Sequence, residues 1–352
     1  MKISIPILNW SCGGADILIE YLIEGLMEQG HEVDPIILTA SGKKLLSGVF
    51  TPTFDYKLMS WKKTEELSKL INKNDIAFYP YIANWARKDE AYINLFDKVT
   101  IPQTCMLHCS RFDKLWGKKW KNTLFKMDSI VYSRSGVTKR IDELGITHKL
   151  LKIDLPYKRM NPENKVFNKK NHIEFVGRVV PVKGHEIILS QAHTIPEWEI
   201  YVHGPIHQSR TGYLLKKQYG PLKNVHFCGE FDEEDKYNIY QNAKFACSFS
   251  KMYGGGVEYV TLEAMDMGCV PLVIPSWLGI MKENEHCIVI RKLSDFKDKL
   301  NIPDETYYTM VGNNFELIKK YDYKEATKGF VSAFTDTINN PGVMKEGIEE
   351  WI

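Results

Sequence analysis

The chain has 352 residues, 44% of them hydrophobic and 26% charged, with a net charge of +2, which suits a soluble protein of two α/β domains. Its seven cysteines form no Cys-x-x-Cys pair and no regular framework, excluding a disulfide scaffold and favouring free thiols in a reducing compartment. No apolar run approaches the ~20 residues of a membrane span, so no membrane partner and a cytoplasmic location are expected.

In chain order, the apolar stretch Met1–Trp10 contains Pro6 and Asn9 and reads as a first strand, not a signal peptide. Lys2–Leu8, Val33–Leu38, Ile76–Pro80, Val99–Met106 and Ser129–Ser133 read as strands separated by helices, which gives a first doubly wound parallel sheet over residues 1–160. Gly13 and Gly14 open the helix Ala15–Gln29. Lacking side chains, they let backbone amides approach a phosphate, and they serve equally well as a plain tight turn. Cys105, His108 and Cys109 lie close together, but a metal site needs a second ligand cluster that the sequence lacks.

Charge is unevenly distributed. Residues 1–160 hold 24 Lys and Arg against 18 Asp and Glu, a net of +6, whereas residues 161–352 hold 22 against 26, a net of −4. Within the basic half, Arg111, Lys114, Lys118, Lys119, Lys121 and Lys126 interleave with Phe112, Trp116, Trp120 and Phe125. Such a segment can neutralise DNA phosphates while its rings stack on bases, or it can be an amphipathic helix with core aromatics and solvated lysines. Tyr81–Lys88, with Asn84, Trp85 and Arg87, could line the same surface or simply pack.

The polar stretch Lys158–Lys170 reads as an interdomain linker. A second set of strands follows over residues 161–352: His172–Val176, Glu199–His203, Asn224–Cys228, Lys244–Phe249, Val270–Ile274 and Cys287–Ile290. The last helix is a candidate to pack back on the first domain. Arg178 and Lys183 fall between a strand and a helix start at Gly184, where open α/β sheets bind anionic ligands, and a guanidinium with an ammonium is a complementary diphosphate grip. On residue type alone, the two also read as solvated charges in a turn. His203-Gly204-Pro205 ends another strand. Glu258 and Glu263 flank the start of a helix ending at Gly268, after the glycine loop Tyr253–Gly256; carboxylates there can hold sugar hydroxyls or merely complement the helix dipole. There is no Asp-x-Asp, the arrangement expected where a divalent ion holds a nucleotide sugar's phosphates, so no metal is expected.

The Gly-Arg…Lys-Gly turn and the Leu-Glu-Ala-Met…Gly…Val-Pro-Leu-Val segment resemble the retaining GT-B glycosyltransferases of glycosyltransferase family 4. Within that group, Glu258-Tyr-Val-Thr-Leu-Glu263, the spacing of Gly177-Arg178 to Lys183-Gly184, and Gly30-His31-Glu32-Val33 are most similar to the DNA α-glucosyltransferases of T-even bacteriophages. Two positions depart from the pattern: the usual first glutamate of the wider family is Gly255 here, and Cys109 replaces an acidic residue.

The resemblance implies two Rossmann-like domains facing a central cleft and metal-independent sugar transfer from a UDP-sugar, glucose by default or a pentose such as arabinose. The implied acceptor is hydroxymethylated cytosine in double-stranded phage DNA, with the enzyme a monomer in the host cytoplasm. It implies Arg178 and Lys183 on the pyrophosphate, Glu263 on the ribose, Glu258 near the transferred sugar, His203 and Gly204 near the nucleotide base, and His108 on the acceptor side. From the residues themselves, Gly13 and Gly14 are expected at the donor site, and Arg111, Lys114, Trp116, Lys118, Lys119, Trp120 and Lys121 at the DNA surface. A GT-B enzyme acting on a lipid, glycan or small molecule is the alternative.

Overall fold

The structure, a computed structural model, describes residues 1–8, 10, 14–39, 51–80, 91–108, 124, 126–143, 149–206, 209–250, 257–277 and 280–342. The chain divides into two compact units, Met1–Lys158 together with Tyr321–Ile352, and Arg159–Lys320.

In the first unit, β1 (Lys2–Leu8) is followed by α1 (Gly14–Glu28), β2 (Glu32–Thr39), β3 (Lys57–Ser60), α2 (Thr64–Ile71), β4 (Ile76–Tyr79) and α3 (Ala91–Lys98). Then come β5 (Gln103–Leu107), β6 (Ser129–Tyr132), α4 (Ser135–Glu143) and β7 (Leu150–Lys152). Among the described residues the strand order is β3-β2-β1-β4-β5-β6-β7, every pairing parallel. Parallel strands covered on both faces need continuous apolar runs, and β1 and β4 supply them: Ile3, Ile5, Ile7, Ile76 and Phe78 are fully buried.

The sequence places a strand at Val99–Met106, but β5 starts only at Gln103. The amide of Val99 still donates to the Leu95 carbonyl, continuing α3 past Lys98, and Pro102 lacks an amide for the ladder.

In the second unit, β8 (Lys170–Val176), α5 (Glu186–Leu189), β9 (Glu199–His203), α6 (Arg210–Tyr219), β10 (Val225–Gly229), α7 (Lys236–Gln241) and β11 (Ala243–Ser248) alternate. They are followed by α8 (Tyr259–Asp266), β12 (Val270–Val273), β13 (Ile288–Val289), α9 (Phe296–Leu300) and α10 (Asp304–Lys319). The strand order is β10-β9-β8-β11-β12-β13, again parallel throughout. The winding direction reverses between β8 and β11, so the carboxyl ends of these two neighbours mark the topological switch point at which such sheets bind ligands.

The final helix, α11 (Tyr323–Asn339), belongs to the first unit. Phe330 and Phe334 pack their rings on Phe78, Thr337 and Ser129 hydroxyls meet at 2.7 Å, and the Tyr323 hydroxyl donates to Glu28 on α1.

The polar stretch expected to be a linker is instead integral to the second unit from Arg159 onward. Asp266, fully buried at the end of α8, accepts from Arg159 Nε at 2.9 Å and Nη2 at 2.6 Å, and from the amides of Met160 at 2.6 Å and Asn161 at 3.0 Å. Lys169 Nζ donates to the Met267 carbonyl at 2.6 Å, placing a cation at the carboxyl end of the same helix. The polar residues that look like linker composition are spent on these bonds.

Candidate functional site

The site grows from the ends of β8 and β11. After Val176 the chain turns through Gly177, and Arg178 is exposed, with no ion pair among the described residues. A single 3-10 turn, Pro181–Lys183, then ends at Gly184 in the left-handed region with φ 75°. Only glycine fits there, because a Cβ would also lie 2.8 Å from the Phe249 carbonyl oxygen at the end of β11. That close approach sets the Lys183 turn beside the β11–α8 connection.

On the other side, Glu258 is the N-cap of α8. Its carbonyl accepts from the amides of Thr261 and Leu262, and its carboxylate makes no cap bond. That carboxylate instead accepts from Lys183 Nζ at 2.8 Å, with the two side chains 19% and 11% exposed. A buried bond of 2.7 Å between the hydroxyls of Ser248 and Thr261 fixes the start of α8 on β11. The switch point therefore holds an ammonium, a carboxylate at a helix amino terminus and an exposed guanidinium. Together they can bind a charged phosphate and a hydroxyl-rich group side by side.

Glu263 lies elsewhere. Five residues past Glu258 on α8, it is 2% exposed and its Oε1 accepts from Lys236 Nζ of α7 at 2.7 Å. Burial pushes its carboxyl above the usual range, opposed by Lys236. The structure thus brings Lys183 and Glu258 into contact and holds Glu263 on a separate ion pair.

At the end of β9, Gly204 adopts φ +135°, and a Cβ there would lie 2.2 Å from the Gly177 carbonyl oxygen, so two glycine backbones meet where β8 and β9 end. His203 Nε2 is 3.0 Å from Glu174 Oε2, within ion-pair reach though not aligned as a hydrogen bond. Burial alone would lower the imidazole, but the Cys228 thiol and the Glu174 carboxylate outweigh it and raise the pKa to about 9. His203 is therefore a cation beside this turn.

In the first unit, His108 follows β5 and its Nε2–H donates to the Pro80 carbonyl at 2.7 Å, leaving Nδ1 as the acceptor nitrogen. Removal from water lowers it to about 4, so it is a neutral imidazole near pH 7. Gly14 is the first residue of α1. Gly13, Cys109, Gly255, the Tyr81–Lys88 segment and the aromatic-basic residues Arg111, Lys114, Trp116, Lys118, Lys119, Trp120 and Lys121 lie outside the described residues.

Sequence reasoning missed Glu174 and Lys236. A charged residue inside the apolar run His172-Ile-Glu-Phe-Val is a usable signal for the first, since Glu174 is 3% exposed. Lys236 offers none, because its partner is 27 residues away.

Residues 157–287 match the family model described as glycosyl transferases group 1. No curated protein sequence matches the chain. Among solved structures, the chain is similar to an α-glucosyltransferase in complex with UDP, with a TM-score of 0.72 at 15% identity over 95% of this chain and 100% of that one. An α-glucosyltransferase in complex with UDP and a 13-mer DNA containing a HMU base gives a TM-score of 0.73 at 15% identity over 95% and 99%. The sucrose-phosphate synthase of Thermosynechococcus elongatus gives 0.70 at 12% identity over 96% and 99%. The chain thus carries a glycosyl transferases group 1 domain over residues 157–287, within a GT-B fold.

Proposed function

We propose that the protein is a retaining glycosyltransferase that moves a sugar from a UDP-sugar to the hydroxymethyl group of a modified cytosine in DNA. The observation that carries this reading is the Lys183–Glu258 pair at the switch point of the second unit, with Arg178 exposed in the same turn. Arg178 and Lys183 would take the diphosphate, Glu258 a hydroxyl of the sugar, Glu263 the ribose, and His203 with Gly204 the side of the uracil ring.

In the transfer, the acceptor oxygen bonds to the anomeric carbon on the face from which the phosphate departs. The bond from that carbon to the phosphate oxygen breaks, and the hydroxyl proton passes to the departing diphosphate. The main catalytic contribution is stabilisation of negative charge on that leaving group by Arg178 and Lys183, worth roughly 3 kcal/mol for one such preorganised donor. No covalent nucleophile is assigned. His108 would orient the acceptor hydroxyl or a hydroxyl of the donor sugar.

The DNA acceptor is supported by the solved complex of the similar α-glucosyltransferase with DNA and by the basic balance of residues 1–160. A different acceptor is the second reading, because sucrose-phosphate synthase shares the fold at a comparable TM-score of 0.70.

Incubation with radiolabelled UDP-glucose, UDP-arabinose and other UDP-sugars, together with plain or hydroxymethylcytosine-containing DNA, tests the reading. Label entering only the modified DNA, and lost in Arg178→Ala, is the expected result. Label entering a lipid or glycan instead would establish the second reading, and donor binding without transfer would make the protein a binding module.

A further inference from the structure

In the second unit Lys236 and Glu263 form a buried ion pair, as Arg159 and Asp266 do: their side chains are 5% and 3% exposed, with Nζ and Oε1 2.7 Å apart. Taking two charges out of water is costly, and replacing such a pair by apolar residues is often neutral or stabilising, so core packing alone does not call for it. The arrangement is also unsymmetrical. Oε1 has its ammonium, whereas Oε2 of Glu263 is equally buried and accepts no aligned hydrogen bond among the described residues: the Tyr240 hydroxyl, near enough to favour the ionised carboxyl, donates to the Val260 carbonyl. An acceptor oxygen left in that state costs free energy unless something donates to it.

Lys236 is held in place from its own side. It opens α7 directly after the 3-10 turn Glu233–Asp235, which is fixed by a reciprocal capping box between Asp232 and Asp235. Its ammonium also reaches Glu233 Oε1 at 2.5 Å, a carboxylate that is 60% exposed and gives the cation a second counter-charge at the surface. The Tyr240 hydroxyl, one turn along α7, donates to the Val260 carbonyl of α8 at 3.3 Å and ties the two helices together. The cation is therefore preset by α7, and the carboxylate of α8 is turned to meet it.

We infer that Lys236 is a positioning residue for donor recognition: by occupying Oε1 it fixes the rotamer and the charge of Glu263, leaving Oε2 as a dedicated acceptor for a ribose hydroxyl of the nucleotide. This rests on the reading of Glu263 as the ribose-side carboxylate. It assigns to α7, which contributes nothing else to the proposed site, the discrimination between a ribonucleotide and its deoxy analogue. Without the ammonium, the buried carboxyl would keep its proton and present a hydroxyl where an acceptor is needed.

The test compares binding of UDP and of 2′,3′-dideoxy-UDP, a probe lacking both ribose hydroxyls, by calorimetry on the full chain. Wild type is expected to prefer UDP by about tenfold or more, the scale of a hydrogen bond to a charged group. Lys236→Met is expected to bring that preference close to one, Lys236→Arg to restore part of it, and Glu263→Gln to lower it as Lys236→Met does. Should Lys236→Met fold poorly, the double variant Lys236→Met/Glu263→Gln, which leaves no buried charge unpaired, takes its place. It should discriminate no less than Glu263→Gln alone, because the lysine acts only through the glutamate.

Retained preference in a folded Lys236→Met, or a further loss in the double variant, overturns the inference while leaving the nucleotide site intact. A wild type that binds both ligands alike overturns the ribose reading of Glu263 and this inference with it.

Discussion

Nζ of Lys183 lies 2.8 Å from Oε2 of Glu258, which joins the turn after β8 to the amino terminus of α8. In the proposed enzyme these groups have different ligands, the ammonium a phosphate and the carboxylate a sugar hydroxyl, so without a donor each stands in for the other's partner. The two deletions should then move UDP affinity in opposite directions. Lys183→Ala removes a phosphate ligand and leaves a carboxylate facing the diphosphate; UDP binding should weaken and kcat fall about 10²- to 10³-fold. Glu258→Gln releases the ammonium, so UDP affinity should hold or rise while sugar transfer falls. Calorimetry with UDP beside steady-state transfer separates the two, and equal weakening by both variants would rule out the exchange of partners.

Arg178 is exposed and lacks an ion pair among the described residues, so the fold gains little from it. Arg178→Ala should change unfolding free energy by no more than about 0.5 kcal/mol, as expected of a surface position. Its UDP affinity should nevertheless fall roughly ten- to hundredfold, the scale of a lost charged hydrogen bond. Arg178→Lys should recover only part of this, because an ammonium cannot make the two parallel bonds of a guanidinium. Thermal melts and UDP titration of the same preparations provide the check.

How far the sequence exposed this site depends on the range of the interactions. Strands β1 and β9 coincide with the expected Lys2–Leu8 and Glu199–His203, because each is bounded by polar or glycine residues and carries buried apolar positions. Strands β3 and β7 were not expected. They are edge strands of four and three residues, half-buried at most of their positions, and short edge segments lack the apolar run that marks a central strand. Arg178, Lys183 and Glu258 are readable because each lies between a strand and the helix that follows it, the first two between β8 and α5 and the third at the start of α8. The pairing of Lys183 with Glu258 spans 75 residues, and that of Lys236 with Glu263 spans 27; neither has a local pattern, since both depend on which strands become neighbours.

His203 and Glu174 make a pH dependence that can be signed. The folded imidazole, raised to about 9, lies above its ordinary 6.5, so its contribution to stability is complete below about pH 6.5 and disappears as pH rises through about 9. Discounted for its partial exposure, that contribution is roughly 1–2 kcal/mol. Melting temperature should decline between those limits, and His203→Gln should flatten the decline. Thermal melts of both proteins from pH 6 to pH 9.5 measure it, and parallel curves would mean that the Cys228 and Glu174 contacts do not hold the proton.

The strongest stability effect should come from Asp266, which receives Arg159 and the amides of Met160 and Asn161 at the end of α8. Arg159 is itself only 7% exposed, so Asp266→Ala leaves a buried guanidinium without its counter-charge and two amides without their acceptor. Loss of one partner of a buried ion pair costs about 3–5 kcal/mol, enough to unfold many domains of this size at growth temperature. The double variant Arg159→Met/Asp266→Ala should recover part of that loss by removing the stranded cation, though the amides stay unsatisfied. Denaturant unfolding of the three proteins tests the order. An Asp266→Ala midpoint equal to wild type would mean that the Arg159–Lys169 segment is not anchored on α8 and behaves as the linker its composition suggests.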